Sequence, residues 1–158
     1  DLVKRGFYDG LDFNRAEDFY ILQAGDPPGE ANGFIDPKTN KYRAIPMEVL
    51  VKGDDLPVYG ETLEELGRYL DQPVIPFNSY GAIALARPGD DPNGGYSQFL
   101  FFKFDTEVNP PGYNLMDGRY SVFGYLTEGK EVLEELTAGD KIISAKVIEG
   151  IENLKEPE

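Results

Sequence analysis

Apolar positions along this chain fall in short runs rather than long stripes. Leu11–Arg15 and Phe19–Gln23 are separated by the acidic residues Glu17 and Asp18 and followed by the turn sequence AGDPPG, a layout that predicts two paired strands. Residues 29–40 are rich in turn formers, with Asp36-Pro37 starting a turn, and Ile45–Val51 then reads as a strand pushed toward a sheet edge by Pro46. Thr62 followed by Glu65 has the spacing of a capping box and predicts a short helix over TLEELGRYL, with Leu63, Leu66 and Leu70 at helical spacing. Four further segments read as strands: Gly81–Arg87, Gln98–Phe104, Ser121–Leu126 and Lys141–Glu149. Between the last two, Lys130–Leu136 predicts a helix stopped by Gly139. The opening DLVKRGFYDG reads as the last turn of a helix, with Lys4 and Arg5 at its C-terminal dipole end and Gly6 as the stop. That reading leads us to expect strands and most of a helix upstream.

Many short strands, few helices and regularly spaced turns point to a mainly β fold, a closed barrel or a sandwich with helices at its ends. With 158 residues the chain fits one domain with a core of its own. The run Phe99, Phe101, Phe102 and Phe104 predicts a strand buried on both faces.

Composition removes whole classes of chemistry. Having neither Cys nor His, the chain holds no thiol nucleophile, His-based triad or zinc site of the usual kind. Its 15 Lys and Arg against 29 Asp and Glu give a formal charge of −14, which repels nucleic-acid phosphates and anionic membrane surfaces and favours neutral or basic partners. No segment has the length of apolar sequence that a membrane-spanning helix needs, and residues 1–30 lack a signal-peptide layout, so a mature soluble chain is expected. Asp54-Asp55 and Asp90-Asp91 lack the alternating ligand spacing of a calcium loop and read as solvated turns, so no metal or cofactor is expected. Gly89–Gly95 lacks the Lys-Ser/Thr end of a phosphate loop. A hydrolase built on paired carboxylates remains open to so acidic a chain, although no pair stands out.

Three segments, in order, carry a family resemblance. DFNRAEDFYILQAGD, residues 12–26, resembles the FHRxxxxFMxQGGD stretch of the cyclophilin-type peptidyl-prolyl cis/trans isomerases, with no gap between Arg and Gln. GAIALAR followed by YSQFLF is similar to that family's GxLSMANxxxNTNGSQFFI, and LMDGRYSVFGY to WLDGKHVVFGKV. The long segment between the first two, about residues 29–79, resembles the insertion of the large-insert cyclophilins of the thylakoid lumen of plants and cyanobacteria, whose isomerase-like domain follows a helical domain. The resemblance implies a closed eight-stranded antiparallel barrel with its first strands upstream of Asp1, a lumenal or periplasmic address, and prolyl isomerisation of protein substrates during folding or assembly. The upstream helical domain is then a possible partner within the same protein.

By the same resemblance Arg15 stands at the catalytic arginine. Gln23 and Gln98 match the two pocket glutamines, and Tyr20, Ile21, Leu100 and Met116 fall where the proline socket is lined. Ala86, Arg87, Leu115 and Tyr120 complete the substrate-binding set. Departures accompany the matches: Arg87 replaces a usual Asn, Leu115 a frequent Trp, Leu100 a usual Phe and Tyr120 a usual His. Lost aromatic contact implies reduced isomerase activity and a weakened site for inhibitors of the cyclosporin class. It leaves a non-catalytic peptide-binding module, or an assembly chaperone for a membrane-associated complex, as the alternative.

Overall fold

The structure is a computed structural model, which describes residues 1–26, 35–36, 39–104 and 114–155. The expected first hairpin forms from β1 (Phe13–Glu17) and β2 (Ile21–Ala24), antiparallel and joined through a tight turn in which Tyr20 N–H donates to Glu17 O at 3.2 Å. Two two-stranded ribbons follow, β3 (Ile35–Asp36) with β4 (Lys41–Tyr42), and β5 (Glu48–Val49) with β6 (Val58–Tyr59). Then come β7 (Ala82–Leu85), β8 (Phe99–Phe102), β9 (Val122–Tyr125) and helix α1 (Lys130–Glu135). The main sheet has five strands in the order β1-β2-β8-β7-β9, every pair antiparallel. The fold is mainly β, as expected.

Side-chain alternation separates the two faces of this sheet. One face carries Leu22 and Ala24 of β2, Phe99 and Phe101 of β8 and Phe13 of β1, covered by Leu133 of α1. The other carries Ile21, Leu100, Phe102, Ala82 and Ala84, packed against Phe77 and Met116. Strand β8 is therefore apolar on both sides, as its run of phenylalanines predicts.

The first strand departs from simple alternation. Phe13 pairs with Ala24 but Arg15 pairs with Gln23, so Asn14 is an extra residue, a β-bulge. Without it Phe13 and Arg15 would share a face. With it Phe13 enters the core under α1 while Arg15 emerges on the opposite face, beside Gln23.

The residues from 45 to 75 carry a core of their own, made of Met47, Val49, Val51 and Leu63 with Val58 against them. The capping box forms: Thr62 N–H donates to Glu65 Oε2 at 2.7 Å and Glu65 N–H to Thr62 Oγ1 at 3.1 Å. The helix expected over 62–70 is only a single turn. Gly67, at φ 70°, ends it, with Gly67 N–H bonded to Glu64 O and Arg68 N–H to Leu63 O, the paired bonds of a glycine C-cap. The same bonding closes the turn at Gly6, where Gly6 N–H donates to Val3 O and Phe7 N–H to Leu2 O.

A second correction concerns Lys141–Glu149. Lys141 makes a single bridge to Asp12 and Ile142 N–H bonds Leu11 O, but no ladder continues. Ile143 and Ile148 stand 90% and 98% exposed. The alternating pattern is that of a strand, and Gly10–Phe13 lie alongside its start, with Gly10 N–H also donating to Ile142 O at 2.6 Å, but among the described residues no backbone pairing continues past Ile142. Pro37 of the turn expected at Asp36-Pro37, and most of the turn-rich stretch before it, lie outside the described residues.

Candidate functional site

One row of paired residues crosses the sheet from edge to edge: Arg15 opposite Gln23, Gln23 opposite Leu100, Leu100 opposite Ala84, Ala84 opposite Val122. Directly opposed residues share a face. The next row places Glu17 opposite Ile21 and Ile21 opposite Phe102. Pairing register thus brings a guanidinium, an amide and an apolar floor together from three separate segments.

Over that floor stands the 114–120 turn. Asn114 accepts from Met116 N–H at 2.9 Å through Oδ1 and donates to Phe77 O at 3.4 Å, while Asp117 Oδ1 accepts from Phe77 N–H at 2.7 Å. Phe77 is buried in the core, so the turn is tied by two side chains to fixed backbone and Met116 is held over Ile21 and Leu100. The result is a cavity of about 130 Å³ lined by Arg15, Tyr20, Ile21, Gln23, Ala86, Arg87, Leu100, Met116 and Tyr120. Since liquid water takes ~30 Å³ per molecule and drug-sized ligands need ~300 Å³ or more, this space suits one small ring or side chain.

Nine of the eleven residues named from the sequence meet here. The other two do not line this cavity. Gln98 borders a neighbouring cavity of about 290 Å³, which shares Gln23, Ala86 and Arg87 with the first. Leu115 turns away, 82% exposed, into a third space.

The polar groups are bound to one another in specific ways. Gln23 Nε2 donates to Gln98 Oε1 at 2.5 Å, and Asn14 Nδ2 reaches the same oxygen at 3.5 Å. Asp26, next along, has its carboxyl pushed above the ordinary range by burial, with a hydrogen bond from Gln98 pulling the other way. Behind them Tyr8 donates to Ser97 O at 2.8 Å, and burial moves its phenol up to about 12, against the pull of Arg43. Ser97 in turn donates to Gly25 O at 2.7 Å, and at φ 103° Gly25 leaves no room for a Cβ, which would lie 2.5 Å from Ser97 O.

Two features constrain the two arginines of the cavity. Arg15 is not unpartnered: its Nε donates to Glu17 Oε1 at 2.7 Å, and its Nη2 bonds the same oxygen. Both side chains are about half exposed, at 50% and 45%. Arg87, which lines the cavity, spends its guanidinium on backbone. It donates to Arg119 O at 2.6 and 3.1 Å, to Pro88 O at 2.7 Å and to Gly89 O at 3.3 Å, and lies 4.9 Å from the centre of the Tyr120 ring. It straps the loop after β7 to the 114–120 turn, and its stacking on Tyr120 adds about 0.5–1 kcal/mol. The Glu17 partnership was readable, because residues two apart on a strand share a face. Carbonyl acceptors leave no mark in a sequence.

Chemically, the cavity offers one cationic donor, one amide and an apolar socket. Among the described residues no group of three or more Asp or Glu could hold a metal ion.

Comparison with known proteins identifies the family. Residues 1–155 match the family model described as cyclophilin type peptidyl-prolyl cis-trans isomerase/CLD. A Synechocystis protein named for a thylakoid lumen peptidyl-prolyl cis-trans isomerase is 68% identical over 154 residues, covering 98% of this chain and 41% of that protein. A chloroplastic peptidyl-prolyl cis-trans isomerase of Arabidopsis thaliana is 48% identical over 157 residues, covering 99% of this chain and 36% of its own length. The chain thus spans about two fifths of the length of each of these two relatives. Among solved structures, a Cryptosporidium parvum cyclophilin determined in the presence of the dipeptide Ala-Pro superposes with a TM-score of 0.56 at 23% identity, over 93% of this chain and 73% of that one, a likeness of fold.

Proposed function

Because this chain belongs to the cyclophilin-type peptidyl-prolyl cis-trans isomerase family, we propose that it catalyses rotation about X-Pro bonds of protein substrates, at a reduced rate, with Arg15 as its electrostatic element. The observation that carries this is the single small cavity in which Arg15, Gln23 and an apolar socket converge. Rotation about a peptide bond faces a barrier of about 18–20 kcal/mol that comes from amide resonance. No covalent step is needed. A guanidinium N–H that donates to the prolyl nitrogen draws its lone pair out of conjugation, and the socket of Ile21, Leu100 and Met116 holds the ring while the preceding carbonyl turns. Gln23, oriented by Gln98, is the donor for a substrate carbonyl. Each tenfold in rate requires about 1.4 kcal/mol of binding made only in the twisted state.

Two observations support the reduced rate. Glu17 holds two N–H groups of Arg15, and Arg87 has its donors on backbone carbonyls rather than facing a substrate. The same observations favour a second reading, a module that binds proline-containing segments without turning them over and so acts as an assembly chaperone. Among the described residues the five-stranded sheet leaves β9 unpaired on its outer side, and the 141–149 segment has no ladder beyond its single bridge. These support the further reading that strands from outside this chain complete a closed barrel. One curated relative is named for the thylakoid lumen and the other for the chloroplast, which supports a thylakoid-lumen address, and no helix among the described residues is long and apolar enough to cross a membrane.

The test is a prolyl-isomerisation assay on the full-length protein and its Arg15→Ala variant. A rate above the uncatalysed background of tens of seconds that falls at least tenfold in the variant is expected. Equal rates in two folded proteins overturn the role of Arg15. Peptide binding without turnover in either assigns the module instead.

A further inference from the structure

The 114–120 turn has two sides, and only one faces the proline cavity. Met116 and Tyr120 line that cavity, while their neighbours Leu115 and Arg119 line a larger one, about 470 Å³, whose far wall is the segment from Leu63 to Gln72. The two walls are joined directly. Leu63 N–H donates to Gly118 O at 3.0 Å, and Gly118 lies so close that a Cβ there would sit 2.6 Å from Leu63 Cδ1.

Four of the five charged side chains lining this groove are matched internally, and the fifth, Asp117, has Oδ1 on Phe77 N–H and Oδ2 buried away from the groove surface. Arg119 pairs with Glu64 at 2.6 Å, and Arg68 bonds Asp54 through both terminal nitrogens, at 2.6 and 3.1 Å, and Asp71 through Nε at 2.5 Å. Gln72 accepts from Lys52 at 3.0 Å. The apolar side chains show the opposite. Leu115 is 82% exposed, Leu70 93% and Tyr69 74%, three large apolar groups on the rim of one concavity. Scattered exposed apolar residues are ordinary, but several sharing a cavity mark a binding surface.

We propose that this groove is a second subsite for the same polypeptide that presents its proline to the first, and that it takes an aliphatic or aromatic side chain a few residues from that proline. The inference rests on the proline-binding reading and extends it to substrate class: unfolded segments in which a proline and a large apolar residue lie close together. The occupant follows from continuity. The two spaces share one wall a single turn thick, and a chain leaving the proline cavity across Met116 and Tyr120 descends onto Leu115. The exposed charges of the lining are paired within the protein and the Asp117 carboxyl is buried, so the accessible rim is the apolar one.

The experiment compares binding and turnover of a short Ala-Pro peptide with peptides that add a Leu or Phe after spacers of increasing length. Full-length parent, Leu70→Ser and Tyr69→Ser proteins are used. Both substitutions are at exposed positions outside the proline cavity, so turnover of the short peptide is expected to stay unchanged. In the parent, one spacer length is expected to improve KM about tenfold, the scale of burying one aliphatic side chain on an already tethered ligand. Each variant is expected to lose several-fold of that gain. An apolar extension that helps at no spacer length, or helps equally in the variants, overturns the proposal. So does concentration-dependent self-association abolished by Leu70→Ser, which gives the groove to a second copy. If the short peptide neither binds nor turns over, the proline reading fails. The groove is then judged on the apolar extension alone, whose binding weakened by Leu70→Ser supports it and whose lack of binding refutes it.

Discussion

If Arg15 is the electrostatic element proposed above, Glu17 competes with substrate for it, and Glu17→Gln should raise the isomerisation rate. In the structure Glu17 Oε1 accepts from both Nε and Nη2 of Arg15, the edge of the guanidinium that carries paired parallel donors. Any prolyl nitrogen that engages those donors must displace the carboxylate or share its hydrogens. Both side chains are about half exposed, so the pair belongs with solvent-facing ion pairs worth about 0.2–1 kcal/mol. Returning that energy to the transition state raises kcat/KM by a factor of about 1.4 to 5. Glu17→Gln keeps the size of the side chain and removes its charge, and at so exposed a position it should shift stability by no more than about 0.5 kcal/mol. The assay is kcat/KM on a short proline peptide at low and at moderate ionic strength. Salt weakens an exposed pair, so the parent should speed up as salt rises and the variant should not. A rate that stays level or falls in Glu17→Gln, with the fold intact, refutes the competition; a fall would mean that the carboxylate positions the guanidinium.

Two further outcomes follow from the packing around the 114–120 turn. Gly118→Ala combines a positive φ of 73° with a Cβ pressed onto Leu63, and should cost about 1–3 kcal/mol, seen as a lower urea midpoint; an unchanged midpoint would show that the turn and the insertion give way freely. Burial raises the Asp117 carboxyl above its ordinary range despite the hydrogen bond from Phe77 N–H, and leaves Oδ2 without a partner. An acid so raised binds its proton more readily folded than unfolded, so its contribution to stability declines as pH climbs from the unfolded value toward the folded one. Asp117→Asn should therefore gain on the parent as pH rises from about 4 to 7, and a difference in midpoint that does not vary with pH contradicts the assignment.

Much of this arrangement could be read from residues alone, and the failures have physical causes. The strand segments around Phe13, Ile21, Ala82, Phe99 and Val122 form, because β-branched and aromatic runs bounded by Gly and Asp have few other ways to bury themselves. The face of Arg15 was not legible. Plain alternation puts it with Phe13, and only the bulge at Asn14, a property of the pairing with β2, turns it over. The helix over 62–70 was overestimated by weighing the leucines and the capping box above Gly67, whose left-handed backbone ends the turn. Lys141–Glu149 shows the opposite limit: a strand pattern states a preference, and pairing needs a neighbour. The Arg87 strap was beyond reach, since its partners are carbonyl oxygens that every residue possesses.

The small core of Met47, Val49, Val51 and Leu63 is separate from the two clusters that sandwich the main sheet. A region with its own apolar centre can open as a cooperative unit while the remainder stays closed, because little of the sheet's burial is lost when it does. Amide protons of β5 and β6 would then exchange with solvent through an event that leaves those of β7 and β8 protected. In such a partly opened molecule the wall of the larger groove is gone while the floor beneath Arg15 persists. On the proposed reading of the two cavities, one chain would thus alternate between gripping a long segment and holding its proline alone.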